Sequence, residues 1–206
     1  IIIPKSVISF GTGVFAACPH LQSVIFENGI ILRELPDYTF QSCSKLHSIF
    51  IPDSVKSIGQ HCFQAVGVVN ITFSEKSNLQ KICYRAFESI HSLYSISLPQ
   101  SIQIIESEAF ISSKNLNNVI IQNPCHSNLT INKYVFNGTN IEKILLPFNA
   151  KCNECGADAV LSLCLPSSQP TSAPSSPTVV PTGQPSSNPS SQPSSQPSSQ
   201  PSSIPT

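Results

Sequence analysis

A phenylalanine returns at a nearly constant interval along most of this chain. It stands at Phe15, Phe40, Phe63, Phe87, Phe110 and Phe136, with spacings of 25, 23, 24, 23 and 26 residues. Self-similarity at a period of roughly 20–50 residues is the mark of a repeat architecture and limits the fold more than any single motif.

Each anchor phenylalanine brings a fixed set of neighbours. Five residues before it is an apolar residue: Phe10, Leu35, Ile58, Ile82, Ile105 and Ile131. Directly before it is a small or β-branched one: Val14, Thr39, Cys62, Ala86, Ala109 and Val135. Five or six residues after it comes Leu21, Leu46, Val68, Leu93, Leu116 or Ile141. An apolar–x–apolar pair then follows, from Val24 and Phe26 through Ile49 and Ile51 to Ile144 and Leu146. That alternation has the period of a β-strand. Proline follows the pair at Pro52, Pro99 and Pro147, where it ends a strand. Ile1 and Ile3, followed by Pro4, are expected to be the last two core positions of an earlier repeat cut off at residue 1.

One such unit cannot bury its apolar side alone, whereas stacked units share a continuous core. The expected fold is a repeat solenoid of leucine-rich type, with one short parallel strand per turn. Opposite the strands should lie turns, a short bridge near the Phe10-type positions, and a 3-10 or helical turn around each anchor. The string Ile51-Pro52-Asp53-Ser54-Val55-Lys56-Ser57-Ile58-Gly59-Gln60-His61-Cys62-Phe63 resembles the repeat of the BspA-type leucine-rich repeat proteins. Ala86-Phe87 and Ala109-Phe110 match its Ala-Phe, and Cys18 and Cys43 its cysteine. Val66, Ile90, Ser113 and Thr139 depart from that cysteine position, and Asn128 falls on an inward one, so the sixth repeat should be distorted. The resemblance implies a cell-surface or secreted adhesion or recognition protein.

Composition divides the chain into an array over 1–148, a cysteine-containing cap over 149–165 and a Pro/Ser/Gln-rich stalk over 166–206. The last charged residue is Asp158, and from Pro181 to Pro205 proline recurs every fourth position. A stretch with so little to bury cannot offset chain entropy and is expected to be disordered. Fully extended, the stalk reaches at most about 130 Å. It reads either as a spacer holding the array off a surface or as a linker to a further domain. The 11 basic and 11 acidic residues balance, which gives no footprint for nucleic acid. No apolar run is long enough to span a bilayer.

The eight cysteines form two groups. Cys18, Cys43 and Cys62 fall on core positions and read as buried thiols, with a Cys18–Cys43 disulfide as the alternative. Cys83 stands where Gly11 and Gly59 stand in other turns and has no assigned role. Cys125, Cys152, Cys155 and Cys164 lie where the pattern fades. They are expected to form a two-disulfide cap in an oxidising compartment. A four-cysteine zinc site is the alternative, weakened because Cys125 and Cys164 form no second close pair. Asn70, Asn128 and Asn137 begin N-glycosylation sequons, which fit an extracellular or cell-surface location. The five histidines occupy different repeat positions, which fits surface sites. With no nucleophile elbow and no phosphate loop, neither an enzyme, a metal nor a cofactor is expected.

Alternation along each strand sends two residues per turn to the outside. They are Ser23 and Ile25, Ser48 and Phe50, Asn70 and Thr72, Ser95 and Ser97, Asn118 and Ile120, and Lys143 and Leu145. This hydroxyl-rich face with isolated apolar residues suits contact with an extracellular protein or glycan. Two other readings stand beside that one: a structural spacer in a wall or coat, and the ectodomain of a receptor whose signalling domain lies elsewhere.

Overall fold

The structure is a computed structural model. It describes residues 1–122, 129–141, 143–146, 151–152 and 160–162, the last three segments as backbone path only. All of these fall within the compact unit Ile1–Ser168.

The apolar–x–apolar pairs form the longer strands: β1 (Ile2–Ile3), β2 (Ser23–Phe26), β4 (Ser48–Ile51), β6 (Asn70–Phe73), β8 (Ser95–Leu98), β10 (Asn118–Ile121), β12 (Lys143–Leu146) and β14 (Val160–Ser162). Between them lie two-residue strands: β3 (Glu34–Leu35), β5 (Ser57–Ile58), β7 (Lys81–Ile82), β9 (Ile104–Ile105), β11 (Thr130–Ile131) and β13 (Lys151–Cys152). The two-residue strands pair in parallel into a six-stranded sheet running from β3 to β13. The expected bridges are therefore a second sheet, and turns of the array carry two strands rather than one. The chain is a parallel-strand β-solenoid of the leucine-rich type.

Burial follows the repeat positions. Leu35, Ile58, Ile82, Ile105 and Ile131 are fully buried from the short strands, and Val24, Ile49, Ile71, Ile96 and Val119 are buried from the long ones. Sealing such a side chain from water contributes roughly 1.5–3 kcal/mol. The anchor rings stack into one column, with centroids 5.6 Å apart for Phe15–Phe40, 5.4 Å for Phe40–Phe63 and Phe63–Phe87, 4.9 Å for Phe87–Phe110 and 5.5 Å for Phe110–Phe136. Phe10 and Phe15 are only half-buried in the first turn, and Val14 is exposed. Ile3 is buried as expected, but Ile1 is 55% exposed, its amine bonded to the Ser23 carbonyl. Leu129, one residue after Asn128, is fully buried beside β11; Asn128 itself lies outside the described residues.

No helix or 3-10 turn surrounds the anchors among the described residues. The residues two before and two after each phenylalanine have positive φ: Tyr38 and Ser42, His61 and Ala65, Arg85 and Ser89, Glu108 and Ser112, with Gly13 and Gly138 sharing the pattern. A helix needs an unbroken run of right-handed residues, and this alternation breaks it twice per turn. It instead aims alternate amides at the next turn. Tyr38, Phe40 and Ser42 donate N–H to the carbonyls of Gln60, Cys62 and Gln64 at 2.8, 2.8 and 2.9 Å. Left-handed conformation costs a non-glycine residue about 1–2 kcal/mol, so this backbone ladder and the ring column must outweigh that cost.

Candidate functional site

Parallel register sorts the outward residues of the long strands into two rows. Ser23 faces Ser48, Ser48 faces Asn70, and Asn118 faces Ser95 and Lys143. That row is polar throughout. In the second row Ile2 faces Ile25. Ile25 and Phe50 each follow directly on the Val24–Ile49 pair, the last in register between β2 and β4. Phe50 faces Thr72, Ser97 faces Ile120, and Ile120 faces Leu145. Ile2, Ile25 and Phe50 are 61%, 56% and 50% exposed, and strands in a ladder are about 4.8 Å apart. The apolar residues are therefore not isolated: three stand side by side, with Thr72 and Ser97 separating them from Ile120. For Lys143 and Leu145 only the backbone position is described.

The row changes character where the sheet itself breaks. β1, β2, β4 and β6 form one sheet; β8, β10, β12 and β14 form another. Two local features coincide at the junction where β6 and β8 do not pair. First, Phe63 stands five residues before Val68, where the preceding and following turns have six. That interval alone does not break a sheet, since Phe136 also stands five residues before Ile141 and β12 pairs on both sides. The shortened connection is pulled against the previous turn at Gly67, where a Cβ would sit 1.9 Å from the Ser44 carbonyl oxygen. Its amide and that of Val69 bond to Cys43 and His47 carbonyls, so β6 is held towards β4. Second, the residue after a long strand normally donates N–H to the preceding turn: Ser74 to Ile51 at 3.2 Å, Gln122 to Leu98 at 3.0 Å. Pro99 has no N–H to donate. Pro52 occupies the same place after β4, and there pairing with β2 covers only Ser23–Ser48 and Val24–Ile49. A side chain bridges the start of the gap, the Ser92 hydroxyl donating to the Val68 carbonyl at 2.7 Å.

A cleft of about 560 Å³ opens at this break. Its polar lining includes Asn70, Thr72, Ser95, Ser97, Gln100 and Gln122, and the Gln122 amide donates to the Ser97 hydroxyl at 2.8 Å. Asn70 is thus both an exposed sequon asparagine and part of the cleft wall. Asn137 is exposed in the last anchor turn.

Beside the anchors runs a different arrangement. The Gln41 amide donates to Gln64, whose amide donates to Glu88 at 2.9 Å; Arg85 Nε donates to Glu108 at 2.6 Å. Sequence reasoning placed the histidines at the surface, and His20, His47 and His91 are exposed. His61 is not. It stacks on Tyr38 at 5.3 Å, meets Tyr84 edge-on at 5.9 Å, and brings Nδ1 within 3.0 Å of Glu88. That Nδ1 is buried and is not aligned as a hydrogen bond to the carboxylate. Tyr38, His61, Arg85 and Glu108 stand two residues before their anchors and Gln41, Gln64 and Glu88 one after, so stacking of the turns gathers these groups beside the column.

Cys18, Cys43, Cys62 and Cys83 are free thiols. Cys43 Sγ donates to the Phe15 carbonyl of the preceding turn at 3.1 Å. Ser113, at the same repeat position, donates to the Phe87 carbonyl at 2.8 Å and accepts from the Ile90 amide at 3.0 Å. At Cys43 and Ser113 the position thus holds a buried donor that ties one turn to the last, while Val66 and Ile90 fill it with apolar side chains. Burial pushes the Cys43 and Cys62 thiols up, and Cys83 is pushed up to about 11 by burial and then by Glu106. Cys125, Cys155 and Cys164 lie outside the described residues, and Cys152 is seen only as backbone in β13. The proposed cap and its zinc alternative, Asn128 and the stalk over 166–206 fall there too. Among the described residues, no three His, Cys, Asp or Glu side chains gather as a metal site, and no helix is long and apolar enough to cross a membrane.

The model of the BspA type leucine rich repeat region matches residues 1–76 and 33–159, in six copies. The chain belongs to the BspA-type leucine-rich repeat family. A disordered PT repeat matches residues 165–206 of this BspA-type protein. No match was found among curated proteins. Among solved structures, a leucine-rich repeat protein of T. pallidum is 21% identical, with a TM-score of 0.52, covering 77% of this chain and 76% of that one. The pneumococcal vaccine antigen PcpA is 19% identical with a TM-score of 0.44 over 72% of this chain, which spans about half (51%) of that protein. A leucine-rich cell surface protein of Faecalibacterium prausnitzii is 14% identical with a TM-score of 0.48, over 77% and 59% of the two chains. The T. pallidum likeness bears on the fold alone.

Proposed function

We propose that this BspA-type protein is a non-catalytic binding scaffold, working outside the cell or at its surface, that recognises a protein or glycan through its long-strand face. The observation that carries this reading is the pairing of two rows, one polar and one with Ile2, Ile25 and Phe50 exposed side by side. Interfaces place apolar anchors at the centre and hydrogen-bonding groups around them, and a few anchors supply most of the affinity. Family membership and the sequons at Asn70 and Asn137 support an extracellular setting. The cap cysteines Cys125, Cys152, Cys155 and Cys164, paired as disulfides, belong to the same proposal.

The test is saturable binding of the purified chain to intact cells, compared with Ile25→Asp and Phe50→Asp variants. Both positions are exposed, so the fold should survive. Losing a buried anchor typically costs about 2 kcal/mol or more, roughly a 30-fold loss of affinity. Saturable binding that neither substitution weakens would reject the assigned face, and a folded protein without saturable binding would reject the scaffold reading.

A further inference from the structure

The cleft between β6 and β8 has a chemistry of its own. Its walls carry two hydroxyl-bearing strand residues on β8, Asn70 and Thr72 on β6, and the amides of Gln100 and Gln122. Hydroxyls and carboxamides each donate and accept. Ile71, Phe73 and Pro99 supply the apolar part of the lining, and Phe50, in register with Thr72, exposes its ring next to it. The volume of about 560 Å³ is that of a small-ligand site.

Three kinds of occupant fit poorly. An anionic ligand meets no lysine or arginine in the lining, which instead includes Glu75. An apolar ligand would strand the hydroxyls and amides without partners, at a cost. An extended peptide added as a strand needs about 4.8 Å on each side, or roughly 9.6 Å between its neighbours. Cα atoms of β6 and β8 approach within 8 Å, so no strand fits between them. The occupant must sit on the face, above the gap, and must offer uncharged groups that both donate and accept.

We propose that this cleft is a binding subsite for a neutral saccharide. Vicinal sugar hydroxyls match the paired donor–acceptor side chains of Asn70, Thr72, Ser95, Ser97 and Gln122. The C–H face of a pyranose ring matches the accessible part of half-buried Phe73, with Pro99 buried beside it. The site lies where a five-residue anchor-to-strand connection precedes β6 and a proline follows β8, and the ladder that seals the face elsewhere is open here. This assignment rests on the long-strand face being the recognition surface and names the ligand class for one part of it. Asn70 begins a sequon, so a glycan attached there would crowd the same cleft.

The test uses the full chain, produced without N-glycosylation, titrated by calorimetry with maltotriose, mannotriose, galactotriose, a sulfated heparin disaccharide and an uncharged Ser/Thr-rich peptide. Saturable binding of at least one neutral trisaccharide is expected, with weaker or no binding of the sulfated disaccharide and the peptide. Ser95→Val and Gln122→Ala, both at exposed positions, should together weaken it at least about tenfold, as the loss of two hydrogen bonds implies. His20→Ala, at an exposed position of the first turn and outside the cleft lining, should leave it unchanged. No neutral trisaccharide binding, binding unaffected by the double variant in a protein of unchanged melting temperature, or preference for the sulfated sugar or peptide would each overturn the proposal. Loss of cell binding in Ile25→Asp without any saccharide binding rejects only this subsite. Cell binding untouched by Ile25→Asp and Phe50→Asp rejects the broader face.

Discussion

Replacing Phe87 by alanine tests whether the ring column holds the array together. Phe87 is fully buried, stacked at 5.4 Å on Phe63 and at 4.9 Å on Phe110. Deleting a buried phenylalanine to alanine costs about 3–5 kcal/mol when the cavity cannot collapse. Two aromatic pairs are lost as well, each worth about 0.5–1.5 kcal/mol beyond area. The turn cannot collapse, because its backbone is bonded to both neighbours, Phe63 N–H to Ala86 and Phe87 N–H to Ala109. The expected loss is therefore at the upper end, about 4–5 kcal/mol. Phe15 is the control: half-buried, stacked at 5.6 Å on Phe40, with Phe10 edge-on. Its replacement should cost about 1–2 kcal/mol. Urea unfolding followed by far-UV circular dichroism gives both values. Because coupling in a solenoid runs between nearest neighbours, cutting the middle should also lower the m-value as the array unfolds in two blocks. A loss at Phe87 no larger than at Phe15 would refute the column as the main coupling between turns.

Three further outcomes are expected. Gly67→Ala should destabilise by several kcal/mol or prevent folding, since the new methyl would overlap the Ser44 carbonyl 1.9 Å away; a melting temperature within a few degrees of the parent would contradict this. Ala65→Gly, at φ 54° on the exposed side of its turn, should stabilise by about 0.5–1 kcal/mol, whereas buried Ala86→Gly should destabilise by about 1 kcal/mol; chemical melts of the pair decide it. Cys83, with its thiol at about 11, should be roughly a thousandth thiolate at pH 8. Its alkylation by iodoacetamide, followed by mass spectrometry, should speed up about tenfold per pH unit until pH 11, while Cys62, raised further by complete burial, should react only after unfolding.

The repeat period and the inward positions were legible because burial writes apolar residues at fixed intervals. Leu35, Ile58, Ile82 and Ile105 were all placed correctly for that reason. The left-handed pairs were not legible: Tyr38, Arg85 and Glu108 hold positions for which sequence rules would expect glycine or asparagine, because hydrogen bonds between turns override the local preference. The two-row face needed register, which composition does not contain. The sheet break left only a partial signal, five residues rather than six between Phe63 and Val68, because the same interval between Phe136 and Ile141 precedes a strand that pairs on both sides. Its meaning depended on Pro99 and on Gly67 packing against Ser44, contacts that only the folded chain brings together.

The ring column has a consequence for how such a protein can change at the level of its gene. Duplicating or losing a segment of 23–26 residues passes on a complete turn, with a phenylalanine above and below ready to restack. Array length is therefore open to variation in whole units. A single codon gained or lost between anchor and strand is different: it moves the strand relative to the column, and after Phe63 the shift is accommodated by Gly67, which has no side chain where two backbones meet. Reach would change by copying turns, and specificity by miscounting within one.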